Sequence, residues 1–148
     1  MTRFDSATTA AAAFGCGILL IALTGCAQLG DVLHKQHREH FDTYEHAADA
    51  WVGVDMPDWI PRDSTEIRNL ATTDETVSVI RVVTDSDLAG DCATAPRLGL
   101  PQLSADWAAE EWETLPAEVA VCGDYEIVAT DDGWLGWFQA SEPGQTPR

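Results

Sequence analysis

The chain has 148 residues, which suits one domain, and it carries 25 acidic against 8 basic residues. The resulting net charge of −17 repels the phosphate backbone, so nucleic-acid binding is disfavoured. Six Trp residues and a hydrophobic fraction of 45% exclude an acidic disordered chain, because such chains are poor in aromatic residues. We therefore expect one small folded domain with one hydrophobic core.

The first 25 residues have the pattern of a secretory leader. A short segment that contains Arg3 precedes an apolar run of 14 residues, Ala10 to Leu23. This run is shorter than the about 20 residues that cross a bilayer, which favours a leader over a transmembrane helix. The run ends in Leu23-Thr24-Gly25-Cys26, where a soluble exported protein would have an A-x-A-like cleavage pattern.

Leu23-Thr24-Gly25-Cys26 resembles the lipobox of bacterial lipoproteins. The resemblance implies that the Cys26 thiol receives a diacylglyceryl group and that a peptidase cuts between Gly25 and Cys26. It also implies that acyl chains such as palmitate then hold the mature N-terminus in the membrane. We therefore expect residues 1–25 to be a lipoprotein signal peptide and the mature chain to be lipid-anchored on the extracytoplasmic face of the cell membrane.

The remaining cysteines agree with export. Cys16 leaves with the leader and Cys26 receives the lipid, so Cys92 and Cys122 remain as one pair in an oxidising compartment. A redox-active pair usually has a C-x-x-C spacing, which these two residues lack. We therefore expect a structural disulfide between Cys92 and Cys122.

Residues 26–56 are expected to form the lipidated N-terminus and a helical linker. Asp31 suits a helix N-cap, apolar residues recur at three- and four-residue steps from Leu33 to Trp51, and Gly53 suits the residue after the helix. The apolar face of this amphipathic helix is expected to dock on the domain, since such a face is most often a core face. Contact with a partner or with the membrane interface is the alternative.

All four histidines of the chain lie in this predicted helix. His34, His37 and His40 are spaced by one helical turn and are weak candidates for metal ligands. One straight helix does not bring three ligands to one ion, so we predict neither a metal nor another cofactor. The alternative is a solvated linker whose cations lie near the lipid headgroups, with the histidines charging below about pH 6.5.

Residues 57–140 are expected to form a globular α+β domain, and residues 141–148, which contain two prolines and a glycine, a disordered tail. Alternating β-branched and aromatic residues predict a small, largely antiparallel sheet of four to five strands. One helix, from Ser104 to Leu115, is expected to pack on this sheet and to end at Pro116. The strand signals lie at Glu66 to Ala71, Thr76 to Thr84, Glu118 to Cys122, Tyr125 to Thr130 and Trp134 to Phe138.

No catalytic residues are predicted, because G-x-S-x-G, H-E-x-x-H and phosphate-binding glycine patterns are absent from the sequence. Acidic pairs such as Asp124 with Glu126 are expected to be turn and surface groups. Trp134 and Trp137 point to opposite faces of a strand, so one of them could contact a ligand. Burial of Trp137 in the core is favoured, since large aromatic residues dominate cores, and an exposed Trp137 is the alternative.

Several segments together are similar to small secreted lipoproteins of actinobacteria that have no assigned function. The resemblance implies a location in the cell envelope and no activity. We expect a non-enzymatic binding or accessory module, anchored to membrane lipid, with an envelope protein or glycan as partner. The alternatives are a structural spacer and a metal-dependent envelope enzyme that uses the linker histidines. The segments are the lipobox, Pro57-Asp58-Trp59-Ile60-Pro61 with Ile67-Arg68, Cys92 with Cys122-Gly123, and Asp132-Gly133-Trp134-Leu135-Gly136-Trp137.

Overall fold

The computed structural model describes residues 35–108 and 114–147. Within these ranges the chain forms seven strands and one short helix. In chain order the elements are β1 (Gln36–Thr43), α1 (Tyr44–Ala50), β2 (Thr65–Thr72), β3 (Val77–Val83), β4 (Cys92–Pro96), β5 (Glu118–Cys122), β6 (Tyr125–Thr130) and β7 (Gly133–Gln139).

The seven strands form one antiparallel sheet in the order β1-β2-β3-β7-β6-β5-β4. Strands β1 to β3 follow one another from one edge as a meander, and β4 to β7 return as a second meander from the opposite edge. The two meanders join where β3 pairs with β7, from Val77 with Gln139 to Val83 with Gly133. Strands β3 and β7 are therefore central to the sheet.

Both faces of the central strands are buried. Side chains alternate along a strand, so Ile80 of β3 points to the first face of the sheet and Val79 to the second. The first face is covered by α1 and by the segment that follows it, from which Trp59 and Ile60 are buried. The second face is covered by the chain after β4, including the buried Leu103. This two-sided burial explains the nearly continuous β-branched sequence of β3.

Gly136 of β7 lets the Trp59 ring lie directly on the central strand. A Cβ atom at Gly136 would lie 2.6 Å from Trp59 Cζ2 and 3.3 Å from Ile127 Cγ1. A ring packed among buried residues cannot yield that space without disturbing the core. The glycine therefore sets how closely the segment after α1 approaches the sheet.

The predicted α+β fold is wrong, because one seven-stranded sheet with a single short helix replaces the predicted sheet of four to five strands with a packed helix. The predicted amphipathic helix from Asp31 to Gly53 is also wrong where the structure describes it. Gln36–Thr43 is a strand paired with β2, and only Tyr44–Ala50 is helical. Thr43 ends the strand by capping α1, since its hydroxyl accepts the His46 N–H at 3.2 Å.

The helix predicted from Ser104 to Leu115 is a turn at its start, where the Ala108 N–H donates to the Ala105 carbonyl at 3.0 Å. Residues 109–113 lie outside the described residues.

In the parts of the chain that the structure describes, no helix is long and apolar enough to cross a membrane. The predicted tail contains a turn in which the Ser141 N–H donates to Gln145 Oε1 at 2.8 Å, and Pro147 is buried.

The predicted disulfide is confirmed. Cys92 and Cys122 are bonded to each other and lie directly opposite one another in the β4–β5 pair. The bond closes a loop with a sequence separation of 30 residues. In the chain-entropy model a loop of this length stabilises the folded state by about 3 to 4 kcal/mol. It fixes β4, a mostly exposed edge strand, to the sheet.

Candidate functional site

The structure separates the predicted metal candidates. His37 and His40 both lie on β1, and residues three apart on a strand point to opposite faces. His37 therefore lies on the first face and His40 on the second, so these two side chains cannot bind one ion. His34 lies outside the described residues.

His40, Asp42 and Glu66 bring one possible ligand atom each within 4.8 Å of one another, and all three residues are exposed. His40 Nε2 lies 2.9 Å from Glu66 Oε2, and Arg68 lies 3.4 Å from the same oxygen. The His40 hydrogen bond holds the pKa of Glu66 below its usual range. Because a guanidinium beside this carboxylate opposes a second cation, we interpret the group as a surface ion-pair network.

On the first face, two acids surround His37. His37 Nε2 lies 3.5 Å from Glu75 Oε1 and 3.9 Å from Glu39 Oε2. Glu39 also accepts the Val52 N–H at 2.9 Å and the Asn69 side-chain amide at 2.8 Å. Burial raises the pKa of Glu75, the His37 ring opposes this rise, and the Glu39 charge adds to it. The cluster ties β1 to β2 and to the chain after α1, which is a structural role.

The two candidate tryptophans differ in exposure. Trp137 is 1% exposed in the core of the second face, and its indole N–H donates to Glu126 Oε2 at 3.0 Å. The core interpretation of Trp137 is therefore correct, and its alternative as an exposed ligand contact is not. Trp134 is half-buried on the first face, and its indole N–H donates to the Ser86 carbonyl at 3.0 Å. Trp134 keeps exposed ring surface.

A groove of about 560 Å³ opens where β5 and β6 separate. The two strands pair only from Ala120 with Ile127 to Cys122 with Tyr125, next to their tight turn. Beyond this point the backbone N–H and carbonyl of Ala129 point towards β5, because the residues on either side of Ala129 are the ones that hydrogen-bond to β7. No strand within the described ranges pairs with them there. The walls of the groove include Thr94, Leu115, Val119, Ala129, Thr130 and Trp134.

Glu126 holds a loop at the other end of β6. One carboxylate oxygen accepts the Leu98 N–H, and the other accepts the Gly99 N–H at 3.2 Å and the Trp137 indole N–H at 3.0 Å. Glu126 is therefore a half-buried acid with three bound N–H donors. A sequence signal exists, since Glu126 alternates with the buried Tyr125 and Ile127, but its partners lie far away along the chain.

The loop that Glu126 holds, residues 97–101, is named the Leu98 loop. Arg97 fixes it from the other side, since its guanidinium donates to the Pro116 carbonyl at 2.9 Å and to the Gly99 carbonyl at 3.1 Å. The backbone is thus bonded, yet Leu98 is 93% and Leu100 is 55% exposed. The loop presents two leucine side chains to solvent on a fixed backbone.

Comparisons with protein-family models, with curated proteins and with solved structures found no match to this chain.

Replacing Glu126 with Ala should destabilise the fold by about 2 to 4 kcal/mol, because three N–H donors lose a charged acceptor. Glu126→Gln keeps one acceptor oxygen and should cost less. The free energy of unfolding from urea titration measures both effects. Glu142→Ala, in the exposed turn after β7, is the control and should stay within about 0.5 kcal/mol of the parent chain. An equal effect of Glu126→Ala and Glu142→Ala would contradict the role assigned to Glu126.

Glu75→Gln should change stability with pH in a defined direction. Because burial raises the pKa of Glu75, its stabilising contribution is complete below the usual glutamate pKa and is lost as the pH rises through the raised value. The variant should therefore gain stability relative to the parent chain between pH 4 and pH 7, as measured by thermal unfolding at both pH values.

Asp74→Asn is the matched control of opposite sign. Hydrogen bonds from Thr72 and Thr76 hold the pKa of Asp74 below its usual range, so this group stabilises the fold above that range. Asp74→Asn should thus lose stability relative to the parent chain as the pH rises from about 2 to 4, and its difference from the parent chain should stay nearly constant between pH 4 and pH 7. The same trend in both variants would contradict the burial assigned to Glu75.

Proposed function

We propose that this protein is a lipid-anchored, extracytoplasmic binding or accessory module of the bacterial cell envelope and that it is not an enzyme. The observation that carries the proposal is Leu23-Thr24-Gly25-Cys26 at the end of an apolar run of leader length. These residues lie outside the described residues. The Cys92–Cys122 disulfide supports export, because disulfides persist in oxidising compartments outside the cytoplasm.

The groove between β5 and β6 supports the binding role. Trp134 contributes an aromatic residue to its wall, beside the hydroxyl-bearing residues Thr94 and Thr130. An indole face combined with hydroxyl and backbone donors and acceptors suits a sugar ring. An envelope glycan is therefore the partner that the groove favours, and a purely structural spacer would not need such a groove.

The position of the histidines argues against the alternative of a metal-dependent envelope enzyme. His37 and His40 lie on β1, and four strand spacings, or roughly 19 Å, separate β1 from β6 in the sheet order. These histidines therefore cannot act on a molecule bound in the groove. Glu118 and Asp131 line the groove as acids without a histidine partner among the described residues.

Cys26→Ser should abolish lipid attachment and release the protein from the membrane fraction, because the thiol that carries the lipid is gone. The mass of the purified protein and its distribution after cell fractionation measure the two effects. Cys16→Ser is the control, since this residue leaves with the leader, and should change neither. A Cys26→Ser protein that stays in the membrane fraction would refute the anchor.

Trp134→Ala should weaken glycan binding by roughly tenfold or more, equivalent to about 1.4 kcal/mol, because the stacking surface is lost. Titration of the protein with soluble peptidoglycan fragments, followed by calorimetry, measures the affinity. Trp134→Phe keeps an aromatic ring in the groove and should retain most of the binding. Absence of binding by the parent chain would exclude this glycan as the partner.

A further inference from the structure

We infer that the Leu98 loop is a membrane-contacting loop, with Leu98 and Leu100 inserting into the lipid surface beside the anchor. This inference rests on the lipid anchoring proposed above. It concerns how the domain meets the bilayer, which the anchor alone does not determine.

Exposure of these two leucines to water costs free energy. Leu98 is 93% exposed, and the N–H groups of Leu98 and Gly99 are both bonded to Glu126. Arg97 adds bonds to two carbonyls, so the backbone is fixed and cannot fold its leucines inward by a small adjustment. Two leucines kept outward on a bonded loop form an apolar tip, and such tips favour an apolar environment.

The Leu98 loop lies beside the end of β7. Gly99 lies beside Gln139, since a Cβ atom at Gly99 would be 3.6 Å from Gln139 Oε1. Gln139 ends β7 and pairs with Val77 at the start of β3. The same end of the sheet carries Lys35, whose carbonyl accepts the Thr73 N–H at 2.9 Å just before β1 begins. We name it the tethered end, because the chain from Cys26 reaches the sheet there.

The third exposed large apolar side chain among the described residues is Val52, which is 54% exposed. Val52 precedes Gly53, and the Glu75 side chain packs against Gly53. Glu75 belongs to the turn between β2 and β3, which lies at the tethered end. Val52 and the Leu98 loop at Gly99 thus both lie towards the tethered end.

The length of the tether keeps this end near the bilayer. Nine residues lead from Cys26 to Lys35, and even a fully extended chain spans at most about 3.6 Å per residue, or roughly 32 Å. A lipid at Cys26 therefore confines the tethered end to the neighbourhood of the headgroups. Tethering makes insertion of a small apolar tip an intramolecular step, which needs little intrinsic affinity.

The net charge of −17 determines which surface the loop prefers. Acids near the tethered end include Asp74 and Asp124, in the turns after β2 and β5, and these are repelled by anionic headgroups. Insertion into a zwitterionic surface is therefore favoured, and anionic lipid should weaken it. A second protein as the occupant of the leucines is an outcome that the experiment distinguishes.

The experiment uses the full chain, purified with its lipid and reconstituted in phosphatidylcholine vesicles. A nitroxide is attached at Leu98→Cys, and a matched control label is attached at Asp131→Cys in the exposed β6–β7 turn, at the other end of β6. For each label, the collision rate with membrane-soluble oxygen is divided by the collision rate with a water-soluble nickel chelate. This ratio should be severalfold higher at position 98 than at position 131. Leu100→Ser, or phosphatidylglycerol as a fifth of the lipid, should reduce this difference.

A label at position 98 that is as accessible to the nickel chelate as the control would overturn the inference, and so would a label shielded from both reagents, which indicates protein contact. The mass of the reconstituted chain separates this failure from that of the anchor. If the mass shows lipid on Cys26 but the label at position 98 lies in water, the membrane-contacting loop is refuted and the anchor is not. Absence of the lipid refutes the anchor, and the inference that rests on it falls as well.

Discussion

The pairing of β3 with β7 is the constraint on which the rest of the structure depends. It joins a meander built from the first half of the chain to one built from the second half, over seven residue pairs. It also lies in a region of the sheet that is buried on both faces, with Ile80 towards the first face and Leu135 towards the second. The layer on the first face depends on it too, because Trp59 packs on Gly136 of this pair.

Strand β6 places the two candidate features of the domain at its two ends. At one end Glu126 binds the backbone of the Leu98 loop, and at the other Ala129 and Thr130 form a wall of the groove. The β4–β5 ribbon is held to β6 by the pairing from Ala120 with Ile127 to Cys122 with Tyr125, and the Cys92–Cys122 disulfide joins its two strands to each other there. Because the ribbon is fixed there and pairs with β6 only near the turn, it can diverge from β6 without detaching from the sheet. The groove is therefore part of the folded architecture.

The sequence predicts those parts of the fold whose signals are local. Strands β3, β6 and β7 lie where β-branched or aromatic residues alternate, and the turn at Gly123-Asp124 follows ordinary turn chemistry. The disulfide follows from counting cysteines. The edge strands β1 and β4 could not be predicted in this way, since they are largely polar or small and are defined by the neighbour with which they pair.

The error over β1 has a specific physical cause. Phe41 and Trp51 recur at spacings that fit one face of a helix, and they do meet in the structure, with ring centroids 5.8 Å apart. They meet because the chain changes from strand to helix at Thr43 and turns back, so the contact arises at a corner. A periodic pattern reports that residues share a face, and it does not distinguish one long helix from a strand followed by a short helix.

The contacts of Glu126 could not be predicted from the sequence pattern either. Its neighbours in sequence mark it as a polar residue on a strand, which is compatible with an ordinary surface acid. Its partners, Leu98, Gly99 and Trp137, come from two other parts of the chain and are known only once the sheet order is known.

In the proposed arrangement, the charge of the domain and its exposed apolar side chains favour the same orientation of the domain at the membrane. The leucines at the tethered end favour contact with lipid, and the net charge of −17 favours distance between the rest of the domain and an anionic surface. The Leu98 loop is joined to the groove through Arg97, whose guanidinium donates to the carbonyl of the groove residue Pro116 at 2.9 Å. A tether of nine residues alone would leave the domain free to rotate, and the two exposed leucines add the second contact that orients it.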